Sequence, residues 1–301
     1  MHFRIIAGLI AGLAGLGTAT ALAGQTPAGA AGNGTPTLEH PCGLEKACAI
    51  GKRIYRAKPP ENWDGVSPLP VLIHFHGWKR VSSHPLKNPK VLNAINHNGA
   101  LLVAPEGLSR TWDFWERENR DVSFVRAVLK DVARRYPIDK TRVYATGFSF
   151  GSAMAWRLAC DAGDVVAGIL PAAGTLWRQE STDCPTGPVN VMHVHGLTDG
   201  VMELPRGADG DPRVAVDLWH RTNMCAREPD ATVTVNAHQC LLWSSCDSGK
   251  EVMLCLHDRG HIVPKGWIRE ALERAIRSYR LGEPDEGASF EGRPQRRSEP
   301  G

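Results

Sequence analysis

Short runs of consecutive apolar residues recur along the chain: LPVLIHF at 69–75, ALLVAP at 100–105, RVYATG at 142–147, VVAGILPAA at 165–173, VNVMHVH at 189–195 and EVMLCLH at 251–257. Most are continuously apolar rather than alternating, which is the pattern of parallel strands covered on both faces. Between them apolar positions recur with a helical period, in DVSFVRAVLKDVARRY (121–136), in the alanine-rich stretch after Ser149, in PRVAVDLWHRT (212–222) and in GWIREALERAIRSYR (266–280). Strands alternating with helices predict an α/β protein with a mostly parallel central sheet in a three-layer sandwich. In such a sheet functional groups gather beyond the C-terminal ends of the strands.

The two ends of the chain break this pattern. Residues 1–23 place Arg4 ahead of an apolar run from Ile5 to about Leu16 and then the small-residue site Ala21, Leu22, Ala23. This predicts a signal peptide cut after Ala23, because the run is short and glycine-rich for a membrane span. Residues 24–38 are small and flexible in composition and read as a leader. Residues 282–301 lack apolar periodicity and read as a disordered tail, which leaves 39–281 as one catalytic-sized domain. No separate polymer-binding module and no second long apolar segment is expected, so no membrane partner after cleavage.

Composition adds two constraints. The net charge is only +3, and the one basic cluster, Arg293, Arg296 and Arg297, falls in the tail, so nucleic acid is not an expected partner. The eight cysteines are an even count in a chain predicted to be exported, extracellular or periplasmic, and disulfides are their expected state. Sequence does not fix connectivity, but spacing narrows it. Cys42 and Cys48 could close a short loop, and Cys160 at a helix end could reach Cys184. Cys240 and Cys255 would face each other across a hairpin, leaving Cys225 for Cys246. Metal binding by these thiols is the weaker reading, since no CxxC pair occurs.

The candidate chemistry sits at strand ends. In TGFSFGSAMAW, 146–156, Ser149 lies between Gly147 and Gly151, after a buried strand and before a helix. A serine on such a sharp turn presents its hydroxyl to solvent, and glycines two positions away let the turn pack closely. The N–H of Phe150, at the helix N-terminus, is placed to hold a developing oxyanion, and the N–H of Trp78, after HFHG at 74–77, is the candidate second donor. A serine needs a base, and the base needs a third group to fix its tautomer. HVHGLTDG (193–200) places Asp199 just past a strand, and HDRGHIVP (257–264) places His261 past the last strand, in the chain order serine, acid, histidine. Asp258 as the acid and His257 as the base are local rivals. The repeated HxH of HFHG and HVHG also invites a zinc reading, but no carboxylate spacing completes such a site, so neither metal nor cofactor is predicted.

With these motifs the chain resembles the secreted poly(3-hydroxybutyrate) depolymerase-like esterases, a group that overlaps the feruloyl and acetylxylan esterases of carbohydrate esterase family one. The similarity covers about residues 42–280. It rests on the HG after the early strand, the block RDVSFVRAVLKDVARRYPIDKTRVYATGFSFGSAMAWRLAC, the HGLTD segment and the RGHIVP loop. The resemblance implies an α/β-hydrolase fold stapled by disulfides, a Cys160–Cys184 pair, and hydrolysis of carboxylic esters through Ser149, Asp199 and His261 without a cofactor. The implied substrate is a polyester oligomer or an acylated plant polysaccharide fragment. The chain departs from many relatives at Phe150, where they carry a small or polar residue, and at Val263, where they carry tryptophan, with Trp267 further on.

Aromatic residues near predicted strand ends extend the site. Trp112, Trp177 and Trp267 are candidate substrate-binding residues, and Trp78 and Trp115 lie in similar loops, where flat rings could stack on a phenolic acyl group or a sugar. The rival readings are a serine peptidase of the same fold, for which no gating domain is found, and a non-catalytic binding protein, for which a triad member should be missing and none is.

Overall fold

The computed structural model describes residues 42–43, 45–115, 120–176 and 184–278. The expected signal peptide (1–23), leader (24–38) and tail (282–301), and the candidate Trp177, lie outside the described residues. In chain order the strands are β1 (Cys48–Ile50), β2 (Arg53–Lys58), β3 (Leu69–Phe75), β4 (Leu101–Pro105), β5 (Ile138–Phe148), β6 (Gly168–Ala172), β7 (Asn190–Gly196), β8 (Ala231–Val235), β9 (His238–Trp243) and β10 (Val252–His257). The helices are α1 (Pro89–Asn98), α2 (Arg120–Arg135), α3 (Phe150–Ala162), α4 (Asp217–Asn223) and α5 (Trp267–Ser278).

These ten strands form one sheet in the order β1-β2-β4-β3-β5-β6-β7-β10-β9-β8. The six central strands, β4 to β10 in that order, run parallel, while β1, β2, β9 and β8 add antiparallel edges. The continuous apolar runs are explained by burial on both sides. Along β3, Val71, Ile73 and Phe75 enter one core and Leu72 the other; along β4, Leu101 and Val103 face the first core and Leu102 and Ala104 the second. The first core is closed by α2, α3 and α4 through residues such as Val125, Val128, Leu158 and Trp219, and the second by α1 and α5 through Val91, Ile95, Trp267 and Leu272. This is the three-layer α/β-hydrolase sandwich.

Several elements go beyond the strong apolar pattern. Helix α1 is set by its ends: the Asn88 side chain accepts from Lys90 N–H, Pro89 opens the helix, and Gly99 closes it at φ 60°. The stretch 212–222 is split, beginning as a 3-10 turn at Pro212–Val216 before α4. The four antiparallel strands at the sheet's two sides carry partly or fully exposed positions, such as the alternating β8, and lack the continuous apolar signature. Helix α2 is fastened to β2 by a buried network in which Tyr55 Oη donates to Asp131 Oδ2 (2.6 Å) and Arg135 Nε donates to the same oxygen (2.8 Å).

Four disulfides join Cys42 to Cys48, Cys160 to Cys184, Cys225 to Cys246 and Cys240 to Cys255. The last pair is a direct cross-strand pair of the β9–β10 ladder. Two candidate substrate-binding tryptophans are corrected here. Trp267 opens α5 and is fully buried in the second core, and Trp112 is buried at 2% exposure, with its Nε1–H donating to His76 O at 2.7 Å. Both are large apolar residues whose rings are taken up by packing, although Trp112 keeps an edge on the cleft beside Leu108 and Trp115. Trp267→Ala is expected to destabilise the fold by about 3–5 kcal/mol in urea unfolding with little effect on KM. By contrast Trp78→Ala, at a residue 56% exposed, should change stability by less than about 0.5 kcal/mol.

Candidate active site

Ser149 is a single residue between β5 and α3, and its backbone takes φ 58° and ψ −124°. That conformation is disfavoured for any residue with a β-carbon and persists only where neighbours enforce it. Here the enforcement is visible. Ser149 N–H donates to Ala172 O on β6 (3.2 Å), and Ser149 O accepts from Ala153 N in the first turn of α3 (3.0 Å). The helix then folds back so tightly that a β-carbon on Gly147 would lie 2.3 Å from Gly151 C, and one on Gly151 would lie 2.1 Å from Phe75 O. A β-carbon on Gly174 would sit 2.6 Å from Ser149 O. The Ser149 side chain makes no cap hydrogen bond to its own helix.

The neighbouring strand brings the second predicted element alongside. Because β3 pairs with β5, Gly77 lies against Phe148, where an added β-carbon would be 3.5 Å from Phe148 O. Gly77 and Trp78 thus run past the residue before Ser149, and the Trp78 ring lies 6.1 Å from that of Phe150. The His76 ring is not directed at this site. Its Nδ1–H donates to Gly77 O (2.9 Å) and its Nε2 accepts from Gly107 N–H (3.1 Å), which ties the loops after β3 and β4 together.

On the other side β7 and β10 are adjacent and parallel, so their trailing loops leave the sheet together. Leu197 N–H donates to His257 O (2.8 Å), Thr198 Oγ1 to Asp258 O (3.2 Å), and a β-carbon on Gly196 would strike Arg259 O at 2.1 Å. This places Asp199 beside His261, whose Nδ1–H donates to Asp199 Oδ2 at 2.7 Å. The other oxygen, Oδ1, accepts from Val201 N–H and Met202 N–H, each at 2.9 Å. The His261 ring packs on Phe148, the residue before Ser149, with centroids 4.5 Å apart. Of the rivals, Asp258 is exposed, and His257 is buried with its Nδ1 accepting from Arg259 N–H (3.2 Å).

Burial pushes the Asp199 carboxyl up, but the hydrogen bonds from His261, Met202 and Val201 outweigh it and hold it below the ordinary carboxylate value. It is therefore ionised at neutral pH and locks His261 in the Nδ1–H tautomer.

Exposed large hydrophobic side chains are concentrated at this end of the sheet, among charged ones such as Lys79, Arg110 and Arg259. Among the described residues, five of the seven large hydrophobics that stay exposed, Trp78, Leu108, Trp115, Leu197 and Val201, follow β3, β4 or β7. Rings of Trp78, Phe150, Phe114 and Trp115 follow one another at 6.1, 5.1 and 4.7 Å. Arg157 on α3 fixes this loop by donating through Nε to Phe114 O (3.2 Å), and the loop borders a cleft of about 470 Å³ that includes Leu108, Trp115 and Arg120. Sequence reasoning named Trp78 and Trp115 but missed Phe114. It also missed the buried contacts of His193 and His195, for which the HxH spacing on one strand was the available signal.

A protonation test follows from Asp199. With its folded value depressed, the stability it contributes is complete above the unfolded carboxylate value of about 3.9 and is lost as pH falls through the lower folded value. The urea-midpoint difference between the wild type and Asp199→Asn should therefore shrink across roughly pH 4 to 2. A gap that stays constant through this window would show that the Asp199 carboxyl is not held below its unfolded value.

No family model matches the chain. Feruloyl esterase B of Piromyces equi is 25% identical over 229 residues, which cover 69% of this chain and 42% of that enzyme. Feruloyl esterase D of Neurospora crassa is 25% identical over 276 residues, covering 87% and 90%. Among solved structures, acetyl xylan esterase from Aspergillus awamori superimposes with a TM-score of 0.56 at 12% identity, over 71% of this chain and 90% of that one. The chain has the α/β-hydrolase fold, and in sequence it resembles the feruloyl and acetylxylan esterases of carbohydrate esterase family one.

Proposed function

We propose that the protein is a carboxylic ester hydrolase acting through Ser149, His261 and Asp199. The observation that carries this reading is the 2.7 Å Asp199–His261 hydrogen bond, with the His261 ring packed on Phe148, the residue before a serine held at a strained strand-to-helix turn. With Nδ1 committed to Asp199, Nε2 of His261 is the nitrogen left to take the Ser149 proton as Oγ bonds to the ester carbonyl carbon. The N–H groups of Phe150 and Trp78 are the proposed oxyanion donors. Collapse of the tetrahedral species breaks the C–O bond to the alcohol, which leaves with the proton from His261. Water then attacks the acyl-serine, gives its proton to the same nitrogen, and frees the acid as Ser149 recovers its hydrogen.

The exposed hydrophobics and the ring series from Trp78 to Trp115 support esters with an aryl or apolar acyl group, and the names of the relatives favour feruloyl esters over polyester oligomers. We also propose residues 39–281 as the catalytic domain, and export with cleavage after Ala23, which four disulfides support. N-terminal sequencing of material secreted from an expression host should then begin at Gly24.

Turnover of p-nitrophenyl acetate and butyrate by the oxidised protein should fall by about 10³–10⁶-fold in Ser149→Ala and in His261→Ala, with far-UV spectra unchanged. Full activity in either folded variant would sink the triad. Silence of the wild type toward every ester would favour a binding protein on this fold.

A further inference from the structure

Behind Asp199, strand β7 carries two imidazoles that the proposed chemistry does not use. His193 and His195 are two positions apart, so they share one face of the strand, and both are fully buried. They form a continuous chain. His193 Nδ1 lies 3.1 Å from Pro171 O, His193 Nε2 lies 3.0 Å from His195 Nδ1, and His195 Nε2 lies 2.7 Å from Met202 O. His195 Nε2 is also 3.4 Å from Asp199 Oδ2, the oxygen that accepts from His261.

Counting protons along this chain gives a definite answer. A carbonyl oxygen can only accept, so the contact at each end is a hydrogen bond only if its nitrogen carries hydrogen. A neutral imidazole has only one N–H. If both rings were neutral, two protons would have to serve three contacts, so one of them, either the 3.0 Å contact between the rings or one of the two carbonyl contacts, would join bare lone pairs in a fully buried site. A third proton turns every contact into a hydrogen bond, a large difference where an unmade bond costs its full desolvation. His76 shows the contrast, because one partner there is a carbonyl and the other an N–H, and the neutral ring satisfies both.

We propose that His193 and His195 together hold three protons at neutral pH, the third shared between His193 Nε2 and His195 Nδ1, so that the pair is a buried monocation partnering the Asp199 carboxylate. Both are positioning residues that act through Asp199, and the proposal rests on the reading of Asp199 and His261 given above.

Burial, the largest influence, holds each ring taken singly below the ordinary imidazole value, His193 well below it, and a charge on His195 lowers His193 further; the proton count sets the hydrogen bonds of the pair against this burial. The hydrogen bond to Met202 and the Asp199 carboxylate pull His195 the other way, while His261 and His257 oppose them. Pro171 and the Trp156 ring, which pack against His193, bring no ionisable group. One shared proton requires one counter-ion, and Asp199 supplies it. The consequence for chemistry is a cation beside the triad acid, which opposes protonation of His261 and keeps the base competent to lower pH.

Replacing either histidine leaves the other with a neutral tautomer that satisfies its carbonyl, so the charge disappears in both cases. The acid limb of kcat/KM for a soluble ester should therefore move up by about 0.5–1 pH unit in His193→Gln and in His195→Gln alike. A packing role would not make His193 act this way, since it touches neither Asp199 nor His261. In the wild type, ¹⁵N-histidine NMR at pH 7 should show one imidazole protonated on both nitrogens and a strongly downfield shared proton. Two rings that each keep one bare nitrogen, or acid limbs that coincide with the wild type in folded variants, would overturn the proposal. The NMR signal does not depend on turnover. An imidazolium in a protein inactive on esters defeats the proposed function alone, and bare nitrogens in an active esterase defeat the proton count alone.

Discussion

Strand β5 ends at Phe148 and helix α3 begins at Phe150, so a single residue must reverse the chain. The backbone of Ser149 enters a sparsely populated region to do this, and the surrounding packing is arranged to make that tolerable. At Gly147, Gly151 and Gly174 a β-carbon would collide, and all three collisions are with contacts of this one reversal. The close approach of Gly151 to Phe75 O also fixes the distance between α3 and the end of β3, and with it the course of Gly77 and Trp78. The orientation of the serine and the placement of its proposed oxyanion donors are therefore set by the same close packing.

The other half of the site depends on strand order. Between β5 and β7 lies β6, yet His261 reaches back over Phe148 because its loop is held against the loop after β7 by backbone bonds. An ionised carboxylate this deeply placed needs donors, and the turn after β7 supplies two backbone N–H groups to Oδ1 while leaving Oδ2 for imidazoles. Opposed to this polar arrangement, Phe150 and Phe114 face each other edge-on and carry the ring series outward. The site thus has a charged floor on the β7–β10 side and an aromatic wall on the β3–β4 side.

Much of this could be read from the sequence for a physical reason. Strands buried on both faces lose their alternation and become continuous apolar runs, so β3 to β7 and β10 were visible, and GxSxG records a steric requirement that the collisions at Gly147 and Gly151 make explicit. The edge strands were not visible, because one-sided burial of short segments such as β1 and β8 leaves a weak pattern. Helix α1 was announced by Asn88, Pro89 and Gly99 and was overlooked because its apolar positions are few. Tryptophan was the least informative residue. Proximity to a strand end does not separate Trp112, whose Nε1–H is consumed by His76 O, from Trp78, whose ring is exposed.

The two HxHG segments carry this point further. Both end a central strand, and both place their second histidine next to a loop of the site, yet the two histidines are in different electrostatic positions. His76 meets one acceptor and one donor and is complete as a neutral ring. His195 meets a carbonyl at one nitrogen and, at the other, a histidine whose own far nitrogen faces a carbonyl. The difference comes from the segments that cross beyond each strand: Gly107 offers an N–H, whereas Met202 and Pro171 offer oxygens. A motif fixes where an imidazole stands, but its proton count is decided by partners distant in sequence. In a dry interior that count is a matter of whole hydrogen bonds, so it is at β7, beneath Asp199, that the fold sets the charge on which the proposed base depends.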